Sequence, residues 1–158
     1  MIEEVVRLLL EMNLKISFAE SCTGGMIASK IVGVSGASKV LLGGFVTYTN
    51  EMKMKMLNVS LDTLEKYTAV SDACAKEMAQ GCRKVTGADI SVSVTGYAGP
   101  LDLPDEPKGL VYIGCSYKDT NYAREYRLEG NRNEIREKAA DSAIDLVREI
   151  LLHEYKGK

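Results

Sequence analysis

The chain has 158 residues, 46% of them apolar and 27% charged, with a formal net charge of −2. That balance fits one ordinary globular domain over residues 1–158, large enough to bury a core without staples. It argues against a dedicated nucleic-acid binder, which usually shows a basic face, and no window approaches the ~18 apolar residues of a membrane span.

The start, Met1-Ile2-Glu3-Glu4, is acidic where a secretory signal is basic, so a cytoplasmic protein is expected. Val5, Val6, Leu8, Leu9 and Met12 recur with helical spacing and predict a first helix over 2–12. Leu14 to Ala19 alternates apolar and polar residues, as a half-buried strand does, and Met26 to Val32 reads as a helix. After a Gly33–Gly36 loop, Lys39 to Tyr48 reads as a buried strand, weakened or bulged at Gly43-Gly44. Asn50 is a candidate cap for a short helix to Leu57, another helix begins after Asp62, and a longer one runs from Ser71 to Thr86 and stops at Gly87. Asp89 to Thr95 alternates as a strand. Gly96 to Lys108 holds all three prolines and is a loop. Gly109–Tyr117 and Tyr122–Leu128 predict an antiparallel pair joined at Lys118–Asn121, and Asn131 caps a last helix to about Tyr155. This order predicts an α/β fold, a mostly parallel sheet with helices on both faces and one antiparallel hairpin. Ligands in such sheets bind beyond the carboxyl ends of strands. Glu20–Gly25, Tyr48–Lys53 and Thr95–Pro100 all start there.

Ser21 falls where a strand gives way to a helix. Amides at a helix start lack partners and point outward, and Gly24 and Gly25 let a bound group approach them. A serine so placed can attack a carbonyl while the amides of Cys22, Thr23 or Gly24 hold the oxyanion. The plainer alternative is that Ser21 caps the helix. Cys22 is a second candidate nucleophile, since a thiol at a helix start can be acidic. The four cysteines, Cys22, Cys74, Cys82 and Cys115, form no Cys-x-x-Cys pair, so reduced thiols and no metal site are expected. The single histidine, His153, lies near the end of the last helix, where a solvated surface residue is the plain reading, so a Ser-His site has no histidine to use. Lys53 lies in a helix start between Met52, Met54 and Met56, where an amine loses its proton more easily and can serve as base to a serine. An ordinary solvated lysine fits the same residues. Arg132, at the last helix start, suits a phosphate, or is one more surface arginine.

Glu20-Ser-Cys-Thr-Gly-Gly25, Tyr48-Thr-Asn-Glu-Met-Lys53 and Val94-Thr-Gly-Tyr-Ala-Gly-Pro100 occur in the order and spacing of the CinA C-terminal family, which the chain resembles from about Leu8 to Leu152. Val70-Ser71 and Gly130-Asn131-Arg132, leading into Glu134-Ile135-Arg136, add to the resemblance. It implies a three-layer α/β/α sandwich with a mixed sheet. It also implies deamidation of nicotinamide mononucleotide to nicotinate mononucleotide and ammonia, without a cofactor. Ser21 is then the nucleophile and Lys53 its base, with Tyr48 supporting the pair. Thr95, Gly96 and neighbouring amides line the site, and Arg132 contacts the substrate. The family tends to dimerise, so a homodimer is expected. Many relatives carry a larger N-terminal domain for which this chain has no room, so a stand-alone version is expected. Two departures bear on the substrate. Leu101-Asp102-Leu103-Pro104-Asp105 stands where the family commonly continues with glycines, and Tyr97 where it usually has a smaller aliphatic residue. Asp102 or Asp105 beside a phosphate would repel it. The other readings are a non-catalytic nucleotide-binding or regulatory module, and a hydrolase of another small amide or ester.

Overall fold

The structure, a computed structural model, describes residues 1–156. Val5, Val6, Leu8 and Leu9 share one face of α1 (Ile2–Glu11) and are buried, as its period requires. β1 (Ile16–Glu20) follows and is buried at all five positions, not at alternate ones. The physical reason is its place at the centre of the parallel strands, covered on both faces, where even polar residues lie inside. After α2 (Met26–Val32) a 3₁₀ turn takes Ala37–Lys39, so β2 (Leu41–Val46) is shorter than the run expected from Lys39 to Tyr48. β2 is the edge of the sheet rather than a buried strand, with Leu42 49% and Val46 51% exposed. Its glycine pair does carry an irregularity: Leu41 pairs with Ile16 and Gly43 with Ser17, which leaves Leu42 as an extra residue. A Cβ at Gly44 would stand 2.6 Å from the Phe18 carbonyl oxygen, so only glycine lets the strands approach there.

α3 (Asn50–Leu57) is capped by Thr49, whose hydroxyl accepts from the Met52 amide; Asn50, the expected cap, is its first helical residue. α4 (Leu61–Tyr67) starts at a Ser60 cap and holds Asp62 in its first turn. α5 (Asp72–Thr86) runs from the Ser71 cap to Gly87, as its sequence signals indicate. A Cβ at Gly81 would stand 1.8 Å from the Leu57 carbonyl oxygen, so this glycine lets α5 back directly onto the end of α3. β3 (Ile90–Gly96), β4 (Leu110–Tyr117) and β5 (Thr120–Arg127) complete the sheet. The hairpin turn is only Lys118-Asp119, with Thr120 already paired to Tyr117. α6 (Arg132–Lys156) opens on a reciprocal cap: Asn131 Oδ1 accepts from the Glu134 amide, and Glu134 Oε1 from the Asn131 amide.

The strand order is β2-β1-β3-β4-β5. β1 runs parallel to β2 and β3, and the β3–β4 and β4–β5 pairs are antiparallel, so β4 alone opposes the others. α1, α2 and α6 pack one face around the larger core; α3, α4 and α5 pack the other around Leu57, Leu64, Cys74, Met78 and Cys82. The result is a three-layer α/β/α sandwich with a mixed sheet. Because β1, β2 and β3 are parallel, Ser21, Thr47 and Thr95 reach the same end of it.

Candidate active site

β1 ends at Glu20 and the chain turns at once. Glu20 is 2% exposed. Its Oε1 accepts from the Thr23 hydroxyl (2.6 Å) and the Gly25 (3.1 Å) and Ile27 (3.0 Å) amides, and Oε2 from the Ala28 amide (3.0 Å). A buried carboxylate needs several donors, and the open first turn of α2 supplies them. Glu20 therefore does the capping that Ser21 could have done; the Ncap position itself is Gly25, whose φ is +102°. Ser21 is left with its amide on the Val94 carbonyl (3.1 Å) and its hydroxyl facing Lys53. Glu20 is the residue of the turn whose function sequence reasoning missed; the signal was an acid directly before a glycine-flanked helix start.

The Lys53 side chain crosses from α3 to the end of β1 and is 2% exposed. Nζ lies 3.1 Å from Ser21 Oγ, 2.8 Å from the Thr47 carbonyl oxygen and 3.4 Å from that of Tyr48. All three partners are neutral oxygens. Burial pushes this ammonium below the ordinary lysine range, with smaller opposing influences from the Cys74 and Cys22 thiols. In the neutral amine, two N–H groups serve the two carbonyls, and the lone pair takes the remaining direction, toward the Ser21 hydroxyl. The solvated-lysine alternative does not describe this residue.

Cys22 lines the same cavity, but burial pushes its thiol up to about 11, outweighing its own backbone N–H and the nearby Arg136, Lys53 and Arg132 charges. A thiol so placed is a poor nucleophile. Of the turn's amides, Gly24 donates to the Ser21 carbonyl (3.1 Å) and Gly25 to Glu20, so neither is open to a ligand. Those of Cys22 and Thr23 hydrogen-bond to no other residue among the described residues. Thr23 is fully buried, and of Cys22, Thr23, Gly24 and Gly25 only Cys22 borders the cavity.

That cavity, of about 370 Å³, has Ser21, Cys22 and Lys53 at its base and Thr95 to Leu101 along one wall. Thr95 is buried and its hydroxyl donates to the Ala69 carbonyl (2.9 Å); a Cβ at Gly96 would stand 2.6 Å from Val111 Cγ2. Tyr48 and Arg132 meet at the rim. Arg132 Nη2 donates to the Tyr48 hydroxyl (3.0 Å) and Nη1 to the Gly99 carbonyl. Tyr48 thus meets Lys53 through its carbonyl, while its side chain is 60% exposed beside Arg132. Asn50, Val70, Tyr97 and Glu106 also border the cavity. Asp102 instead accepts from the Lys108 amide (2.9 Å) and, like Asp105, does not border the cavity; the acid at the rim is Glu106. Among the described residues no cluster of His, Cys, Asp and Glu is placed to hold a metal ion, and no helix is long and apolar enough to cross a membrane.

A mixed sheet between two helical layers, with a buried amine on a serine at the ends of parallel strands, defines an α/β/α domain with a candidate Ser-Lys centre. The family model described as the CinA C-terminal domain matches residues 1–151, and the chain belongs to that family. It is 50% identical over 151 residues to a CinA-like protein of Kosmotoga olearia, covering 95% of this chain and 37% of that protein. A CinA-like protein of Thermotoga maritima is 45% identical over 150 residues, covering 94% and 36%. The chain thus spans little more than a third of the length of these curated relatives. A crystal structure of a CinA superfamily protein from Escherichia coli matches with a TM-score of 0.90 at 35% identity, covering 95% of this chain and 90% of that one. The competence/damage-inducible protein CihA from Agrobacterium tumefaciens gives 0.86 at 38% identity, covering 92% and 93%.

Proposed function

We propose that the domain is an amidohydrolase that converts nicotinamide mononucleotide to nicotinate mononucleotide and ammonia. One observation carries this reading: the buried Lys53 amine, with two carbonyls to take its N–H groups, lies 3.1 Å from Ser21 Oγ at the base of an open cavity. Ser21 Oγ attacks the carboxamide carbon and passes its proton to Lys53 Nζ. The Cys22 amide, the one of the turn that borders the cavity, donates to the oxyanion that forms. The C–N bond then breaks, and Lys53 returns the proton to the departing nitrogen, releasing ammonia. Water attacks the acyl-enzyme with the same amine as base, the C–Oγ bond breaks, and Ser21 recovers its proton. Arg132 at the rim suits the substrate phosphate.

The test is ammonia release from nicotinamide mononucleotide by the parent and by Ser21→Ala. Turnover lost in the variant supports the reading. Turnover that persists in the variant sinks the serine mechanism. Binding without turnover by the parent replaces it with a nucleotide-binding module.

A further inference from the structure

Two charged side chains that take no part in the proposed bond changes converge on the turn that carries Ser21. Glu20 holds one side, through the Thr23 hydroxyl and the Gly25, Ile27 and Ala28 amides. Arg136 holds the other from α6: Nε donates to the Cys22 carbonyl (2.9 Å) and Nη2 to the Thr23 carbonyl (3.2 Å). A Cβ at Gly24 would stand 3.3 Å from that Nη2, so the guanidinium rests directly against the turn.

A peptide unit is planar and trans, so its carbonyl and its N–H point in opposite directions. Arg136 takes the Cys22 carbonyl, which turns the Thr23 N–H of the same unit away from the guanidinium. The Gly24 amide takes the Ser21 carbonyl, which turns the Cys22 N–H away from Gly24. Neither N–H hydrogen-bonds to another described residue, and of the two only Cys22, immediately after the candidate nucleophile, borders the cavity. Free buried amides are costly and the chain relaxes onto an acceptor unless it is restrained. We infer that Glu20 and Arg136 are positioning residues, which restrain the Ser21–Gly25 turn from its two sides and keep the Cys22 amide open to the cavity as an oxyanion donor. This inference rests on the Ser-Lys reading of the site, though not on the identity of the amide.

The experiment is labelling by a small alkyl fluorophosphonate, which needs an activated serine and an oxyanion hole but no recognition of a nucleotide. Ser21 Oγ bonds to phosphorus, fluoride leaves, and the serine proton goes to Lys53. The rate is recorded against pH for the parent, Arg136→Ala, Arg136→Lys and Glu20→Gln. The plateau is expected to fall about 10- to 100-fold in Arg136→Ala and Glu20→Gln, the scale of a weakened oxyanion hole. The midpoint of the rise, set by Lys53, stays in place. Arg136→Lys recovers part of the rate, because an ammonium can still serve one carbonyl. Where Arg136→Ala does not melt cooperatively, Arg136→Gln is read instead. Parent plateaus in the variants overturn the inference, and so does a shifted midpoint, which would mean that the pair acts through Lys53. A parent that labels yet leaves nicotinamide mononucleotide intact defeats the substrate reading alone, while the variants still decide the positioning. A parent that labels no faster than Ser21→Ala defeats both.

Discussion

The base and the rim of the cavity are built on opposite physical terms. At the base, Lys53 is 2% and Ser21 8% exposed, and the amine meets only neutral oxygens. At the rim, Tyr48 is 60% exposed and Arg132 and Glu106 stand in solvent. Burial raises the free energy of an ionised group, so the buried Lys53 amine loses its proton more easily than an exposed lysine. Solvent screens the rim charges, which act over short distances and more weakly than the same charges would if buried. On the proposed reading, the base governs whether the reaction occurs, and the rim governs which molecule is presented to it. Effects of substitution should fall off steeply from one to the other.

Lys53→Met should give the largest change. It fills a similar volume but removes the base, and amide hydrolysis should fall by about 10²–10⁴-fold, the usual range for a positioned acid–base group. Steady-state ammonia release measures it, and a variant within threefold of the parent would break the contrast. The pH dependence follows. Only the neutral amine can take the serine proton, so kcat rises with pH and its ascending limb lies below the ordinary lysine range. Stability carries the same sign. With the folded value depressed from 10.5, the unfolded chain binds more protons between the two values, so stability rises with pH across that window. Below the folded value the full burial penalty remains; above 10.5 it is gone. Denaturant midpoints of Lys53→Met should lack that rise.

The same division explains what was legible in the sequence. The pairing of Ser21 with Lys53 could be anticipated because Ser21 directly follows a strand end and Lys53 lies in the first turns of a helix, and three short motifs in family order tied them together. α5 was readable from Ser71 to Gly87 because both of its ends carry strong local signals. β1 and β2 were misjudged in burial, since alternation reports a strand's own pattern and not its place in the sheet. Tertiary covering decided both, burying Ser17 and exposing Leu42. Glu20 was hidden for a related reason. Its four donors lie along the next eight residues, and only the backbone path shows that they converge. The rim was least legible, because the Gly96–Lys108 loop turns Asp102 onto the Lys108 amide and sends Glu106 to the cavity instead.

Arg132→Ala should have an intermediate effect and a different signature. A charge-assisted bond to a phosphate contributes about 1.5–3 kcal/mol, so KM should rise about 10- to 100-fold while kcat changes little. The variant also loses the contacts to Tyr48 and Gly99, which frees the rim without touching Lys53. Initial rates over a wide substrate range separate the two constants. A fall in kcat with KM unchanged would mean that Arg132 belongs to the base and not to the rim.

Glu106→Gln should give the smallest change and sharpen the contrast most. Its carboxylate shares the rim with Arg132, and the proposed substrate carries a cationic ring and an anionic phosphate. If the phosphate lies toward Arg132, the exposed carboxylate repels it through solvent, and removing that charge should lower KM about two- to threefold, in the range of exposed charge pairs. The change should shrink as salt is raised from about 0.05 to 0.5 M, because the screening length drops to a few ångströms. Asp105→Asn serves as the control and should leave KM alone, since Asp105 does not border the cavity. A rise in KM for Glu106→Gln would reverse the pose, setting the cationic ring beside Glu106 and the phosphate deeper in the cavity. A change that salt does not diminish would mean that Glu106 acts by contact at close range, and the division between a buried base and a solvent-screened rim would fail at that residue.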